Sequence, residues 1–216
     1  TAIKRRSKGE QTRLKVLKAA IEVIASTGIK GTTHRAVAEK ADTQLSLTTY
    51  YFKDIKQLVR EALELNSNTF LSSYEKDWNN IFGLIDNLNA AQLRKVSVKE
   101  DVCNRLSKVA AEHFYFNIAN RPAGLAVEQI CFTEMNYQSE IKDIAIKHSE
   151  SLIKPFVKLA SYFNKVDPEV DAELTMIAIT RLQYKYLSEN EDTVDKDLIL
   201  RLLKRQFGWL MGIKRH

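Results

Sequence analysis

Apolar side chains recur at three- and four-residue intervals along nearly the whole chain, the spacing of one helical face. Leu14, Leu17, Ile21 and Ile24 predict a first helix over residues 11–27, and Gly28 follows where a left-handed C-cap is wanted. Thr32 or Thr33 can N-cap a short second helix that turns Val37, Ala38 and Ala41 inward. Asp42-Thr43-Gln44 reads as a tight turn, and residues 45–51 as a short third helix. Asp54 then caps a long fourth helix with Leu58, Val59, Ala62, Leu63 and Leu65 on its apolar side. Three helices this short bury barely enough surface to stand alone, so the fourth should tie them to the rest.

The helical spacing continues downstream. Ser97-Val98-Lys99-Glu100 has the form of a capping box and predicts a helix through residue 118. Arg121-Pro122 opens another over 123–136, followed by a long one over 139–163 with Pro155 inside it, where a kink is expected. Asp167-Pro168 supplies a cap and a first-turn proline for a helix to about residue 189. The last helix, over 194–211, carries Leu198, Ile199, Leu202, Leu203, Phe207, Leu210 and Met211. Residues 82–96, interrupted by Gly83, fit a helix or a loop. With only seven glycines and three prolines to punctuate it, the chain is expected to be all-α, with about nine helices.

Charge changes this picture at one end. Residues 1–60 hold 13 Lys/Arg against 5 Asp/Glu, while the other 156 are close to neutral, 20 against 22. A basic first quarter on a neutral remainder is the footprint of a polyanion-binding module on a carrier. The third helix adds a second sign, since it is built from small hydroxyls and tyrosines in place of the usual Leu, Glu and Lys. Such a surface suits a phosphate backbone and base edges better than water.

These residues carry a resemblance. Ala19-Ala20, Gly28, Thr32-Thr33, Val37-Ala38, Ala41-Asp42-Thr43 and Thr49-Tyr50-Tyr51-Phe52 fall at the spacing of the N-terminal DNA-binding domain of TetR-family transcriptional regulators. The likeness covers residues 11–65, about a quarter of the chain. The ending TTYYF, with Thr33-His34-Arg35 at the second helix, resembles one subgroup of that family. Asp42 stands where the family commonly has a turn glycine, Thr49 where it has a phosphate-touching tyrosine, and Tyr51 at its histidine position. Ile55 replaces a frequent lysine, so Lys53 or Lys56 has to supply that charge.

The resemblance and the groove argument place DNA contacts on Thr33, His34, Arg35, Gln44, Leu45, Ser46, Leu47, Thr48, Thr49, Tyr50, Tyr51, Lys53 and Lys56. Gln44 can pair with adenine and Ser46 with several bases, while Leu47 or the Thr48 methyl can meet a thymine methyl. Leu45 and Leu47 fit the groove or the interior equally well. Phe52 reads as core and Tyr51 as a phosphate contact.

For the remainder, the resemblance implies dimerisation and small-molecule sensing. The expected organisation is a helix-turn-helix domain over 1–60 and a helical effector-binding and dimerisation domain over 61–216. In that picture Leu174, Ile177, Ala178, Arg181 and Leu182 face Leu198, Leu202, Phe207 and Leu210 in a four-helix bundle across a two-fold axis, unless both stripes close the monomer core. The densest pocket candidate is Glu112, His113, Tyr115 and Phe116 with Glu128, Phe132 and Met135, an aromatic set with a few polar groups. Cys103 and Cys131 lack metal-ligand spacing and read as reduced core residues.

Other classes find little support. There is no His-Glu-x-x-His, P-loop or dinucleotide fingerprint, and none of His34, His113, His148 and His216 has a Glu three residues before it. No apolar run approaches the roughly 18 residues that span a membrane. The expectation is therefore a cytoplasmic, homodimeric regulator, not an enzyme, without cofactor or metal, that represses from a palindromic double-stranded DNA operator until a small effector binds. The alternative is a helical protein-interaction module that has lost DNA binding.

Overall fold

The computed structural model describes residues 8–134, 139–188 and 193–213. Among them there are ten α-helices and one 3-10 turn, and no strand. The helices are α1 (Lys8–Gly31), α2 (His34–Lys40), α3 (Leu45–Tyr51), α4 (Ile55–Asp86), α5 (Ala90–Leu93), α6 (Val96–Asn120), α7 (Pro122–Glu134), α8 (Ser139–Phe163), α9 (Pro168–Lys185) and α10 (Lys196–Leu210). The expectation of about nine falls one short because α5, a single turn, interrupts the stretch that pattern left open.

Contacts divide the chain into two compact units. One takes in the chain up to Thr69 with Ala123–Lys147, the other Phe70–Pro122 with the chain from His148 onward. The first unit is built on α1, α2 and α3. Val16, Ala20, Ile24, Val37, Phe52, Leu58 and Ala62 are fully buried in one cluster, which Val127, Cys131, Ile141, Ile144 and Ala145 complete. The last five come from α7 and the start of α8, distant in sequence. They add apolar cover that three short helices lack by themselves.

Gly28 breaks α1, as expected, but with φ 72 and ψ 174 in place of a left-handed cap. That region is essentially closed to residues with a Cβ. Its carbonyl accepts from Thr32 Oγ1 at 2.9 Å, which closes the bend. Thr33, not Thr32, caps α2, its Oγ1 accepting from Ala36 N at 3.1 Å. Asp54 Oδ1 caps α4 by accepting from Gln57 N at 2.8 Å.

In the second unit, α10 packs against α6 and α9. Ile199, Leu203, Phe207 and Leu210 are buried there, and Lys99 Nζ donates to Met211 O at 2.8 Å. Two local expectations are corrected. Ser97 does not begin a helix: α6 starts at Val96, with Lys95 as a cap that offers no side-chain bond. The capping box forms instead at Asn89 and Gln92, on α5. Asp167 precedes α9 without a side-chain cap, and just before it Asn164 Oδ1 accepts from Val166 N at 2.9 Å. α8 runs as one helix through Pro155.

Candidate nucleic-acid interface

The two-faced character of α3 defines the site. The helix is only seven residues long, so it is held by what surrounds it. Ala41 N donates to Val37 O at 2.8 Å and Thr43 N to Ala38 O at 3.0 Å, which closes the end of α2. Asp42 then reverses the chain with φ 44, a left-handed backbone that Asp tolerates better than most side chains. Lys15 Nζ donates to Asp42 O across 3.2 Å, which fastens the turn to α1.

The inner face of α3 is anchored by Thr48, buried to 0% exposure, and by Phe52 just beyond the helix. Thr48 was expected among the base-reading residues, and this is corrected. The residue is wholly buried, and its hydroxyl donates to Leu45 O at 2.8 Å within its own helix. The guanidinium of Arg13 lies 5.0 Å over the Phe52 ring and pairs with Glu61. Arg13 is therefore a structural cation.

The outer face carries Gln44, Leu45, Ser46, Thr49 and Tyr50, all exposed. Gln44 stands exposed at the N-cap position with no side-chain cap bond. Tyr50 is 79% exposed, and its ring meets that of Tyr51 edge-on at 5.1 Å. Tyr51 is half-buried; its hydroxyl lies 3.5 Å from where a Cβ on Gly9 would stand. Leu47 is half-buried, between the two roles its sequence allowed. Thr33, Arg35, Lys53 and Lys56 are exposed, and His34 is half-buried, its Nδ1 covered and without a hydrogen-bond partner among the described residues.

Part of the basic charge is turned to structure. Lys40 pairs with Glu22 at 2.6 Å, and Arg60 with Asp143 at 2.6 Å. The hydrogen bond from Arg60 holds the Asp143 carboxyl below its ordinary value. Cys131 is buried near Glu128, and burial pushes its thiol up to about 11. Among the described residues no group of three His, Cys, Asp or Glu could hold a metal, and no helix is long and apolar enough to cross a membrane.

The residues expected to form an effector pocket fall in different units. Glu128 and Phe132 belong to the first, where Glu128 is buried and Phe132 packs against the core. Glu112, His113, Tyr115 and Phe116 belong to the second. Glu112 is exposed and Phe116 is 51% exposed, while the Tyr115 ring is covered by Lys196 Nζ at 3.7 Å. Met135 lies outside the described residues. His113 joins a polar and aromatic cluster that sequence reasoning missed. Its Nε2 bonds Asp77, its ring lies 4.7 Å from that of Tyr74, and Asn117 Nδ2 donates to the Tyr74 hydroxyl at 2.7 Å. The signal was present in α4, where Phe70, Tyr74, Trp78 and Phe82 recur every fourth residue.

Residues 16–62 match the family model described as bacterial regulatory proteins, tetR family. No curated protein matches the sequence. Solved structures share the fold over nearly the full chain. A protein assigned as a TetR-family transcriptional regulator from Mesorhizobium loti MAFF303099 is 11% identical with a TM-score of 0.66, the match covering 96% of this chain and 98% of that one. Salmonella enterica GusR is 15% identical with a TM-score of 0.60, covering 95% and 98%. The multidrug binding protein EbrR, solved with ethidium, is 22% identical with a TM-score of 0.56, covering 91% and 98%. At these identities the likeness establishes the fold: all-α, with an N-terminal helix-turn-helix.

Proposed function

We propose that this chain is a TetR-family transcriptional regulator, of the subgroup with the TTYYF ending, that binds a palindromic operator as a homodimer and is released by a small effector. The outward face of α3 carries the reading. Thr48 and Phe52 anchor the helix from within, while Gln44, Leu45, Ser46, Thr49 and Tyr50 are left exposed on a seven-residue helix. An exposed helix of small polar groups has the dimensions and chemistry to enter a major groove. Gln44 and Ser46 read base edges there. Thr33, Arg35, Thr49, Tyr50, Tyr51, Lys53 and Lys56 hold the backbone, which positions the protein without specifying sequence. DNA reading belongs to residues 1–60, effector binding and dimerisation to 61–216, and the protein acts in the cytoplasm.

One short helix reads too few base pairs for useful specificity, so a second copy is required. Val170, Leu174 and Ile177 are 50%, 57% and 57% exposed on α9, and Leu202 is 42% exposed on α10. This apolar stripe is the dimer face. Phe207 and Leu210, once expected on it, are buried within the monomer at 1% and 3%. The EbrR structure with ethidium is consistent with an effector-binding role in this fold. Effector binding releases DNA, and so relieves repression, if the effector favours a dimer whose recognition helices are wrongly spaced for the operator.

The test is selection of genomic fragments by purified protein at two salt concentrations. Enrichment of one near-palindrome, with affinity falling by a log–log slope of about −0.9 per phosphate neutralised, supports the reading. Absence of any enriched site at either salt concentration refutes it and leaves the interaction-module reading. Leu174→Glu with Ile177→Glu should give monomers by light scattering and abolish operator binding.

A further inference from the structure

Phe70, Tyr74, Trp78 and Phe82 stand one above another on α4, at positions four apart that share a helix face. The end rings are each covered by a cation of the protein itself. The Arg121 guanidinium lies 5.3 Å over Phe70, and Lys158 Nζ lies 4.0 Å over Phe82. The faces of this row therefore already attract positive charge, through the ring quadrupole.

The two middle rings, Tyr74 and Trp78, are half-buried and flank Asp77 in the sequence. Asp77 lies three positions after Tyr74 on the same helix, and its partner among the described residues is His113, whose ring stands 4.7 Å from that of Tyr74 and which is charged only if protonated. Phe156 meets Trp78 edge-on at 4.9 Å and walls the row from α8.

Asn117 supplies the second, independent sign. It is 1% exposed, and its Nδ2 donates to the Tyr74 hydroxyl at 2.7 Å. Its Oδ1 is buried with no hydrogen-bond partner among the described residues. A buried amide acceptor left unmet costs free energy that the fold has no reason to carry unless something else meets it. Because the other end of the same amide is bound to Tyr74, this oxygen lies within the cluster.

We propose that Tyr74, Trp78, Asp77 and Asn117 form the effector site, and that its ligand is a flat aromatic cation carrying an N–H donor. This inference rests on the effector-relieved reading above and names the chemistry of its ligand. The ring stacks on Tyr74 and Trp78, the positive charge faces Asp77, and the N–H donates to Asn117 Oδ1. A neutral ring would gain only the stacking, and an anion would be repelled by Asp77.

The experiment uses two probes of one ring system: 9-aminoacridine, cationic at neutral pH and bearing N–H donors, and acridine, neutral there. Each is titrated by fluorescence into the full-length protein without DNA. The expected result is saturable binding of 9-aminoacridine, at least about tenfold tighter than acridine. Asp77→Asn should abolish that preference while leaving acridine affinity unchanged, and Asn117→Leu should weaken 9-aminoacridine alone. Equal affinity for both probes, binding of neither, or a preference that survives Asp77→Asn would overturn the proposal.

A second readout needs no change at the carboxylate. Trp78 and Trp209 are the two tryptophans, so Trp209→Phe leaves Trp78 as the only reporter. Bound 9-aminoacridine should quench it, and unquenched Trp78 at saturation overturns the site. The outcomes also separate from those of the operator test. A bound operator with equal probe affinities sinks this inference alone, whereas cation selectivity without any enriched DNA sinks the operator reading alone.

Discussion

The ammonium of Lys15 donates to the carbonyl oxygen of Asp42 across 3.2 Å, at the one non-glycine residue with positive φ among those described. The sharpest point of the helix-turn-helix is thus tied to α1 through a backbone atom, not through the Asp42 side chain. A residue can therefore be exchanged at 42 without losing the tie.

It follows that Asp42→Gly should stay within about 1 kcal/mol of the parent in urea unfolding, since glycine takes positive φ freely and keeps the carbonyl. Asp42→Val should lose about 1–2 kcal/mol, the cost of placing a side-chain-bearing residue in a left-handed backbone. Equal midpoints for the two variants would contradict this account of the turn.

Gly28 makes a sharper case. A Cβ there would meet Glu134 Oε1 at 3.7 Å, an ordinary contact, so space is not the obstacle. The backbone is, at φ 72 and ψ 174. Gly28→Ala should cost roughly 1–3 kcal/mol from strain alone. A melting temperature equal to the parent's would show that α1 can rebend elsewhere.

On DNA, Gln44 and Thr48 should separate. Gln44→Ala is expected to relax preference at one base pair by about 1–3 kcal/mol, measured across operators substituted at single positions. Thr48→Val replaces a buried hydroxyl with a methyl and should leave the whole preference profile unchanged. A changed profile for Thr48→Val would return that residue to the groove.

Both cysteines are buried, and burial near Glu128 pushes the Cys131 thiol up to about 11. At pH 8 the reactive thiolate is scarce there and shielded. The native protein should resist a disulfide reagent that labels two thiols once the chain is unfolded. Rapid native labelling of Cys131 would mean that the first unit opens readily.

The Arg60–Asp143 pair gives a pH dependence with a definite sign. The folded carboxyl sits below its unfolded value, near about 3.9 for a free Asp. Its contribution is present above that value and lost as pH falls through the folded one. Asp143→Asn should therefore be less stable than the parent at neutral pH, with the gap closing in acid and narrowing in high salt. A gap independent of pH would assign the effect to packing.

Much of the local architecture was legible in the chain. The limits of α3, the break at Gly28, a threonine cap at 32 or 33, the cap at Asp54 and the proline opening α9 all follow from residue type and spacing, because each depends on atoms only a few positions apart. Local signals misled where two of them competed. Ser97 and Asn89 both carry capping chemistry, yet only Asn89 caps, because α6 begins at Val96 and takes Ser97 inside its first turn.

What spacing could not show was which face of a helix finds a partner. Thr48 and Gln44 read alike as polar residues of a DNA helix, yet Thr48 is sealed against the core while Gln44 is exposed. Phe207 and Leu202 read alike as apolar, yet one fills the monomer and the other stays exposed. The pairing of His113 with Asp77 joins positions 36 residues apart, and α7 completes a core begun at Val16. By itself the sequence determined the helices and the basic, hydroxyl-rich character of the first quarter. Only tertiary structure decided which side chains remain exposed, because burial depends on surfaces brought together from distant segments.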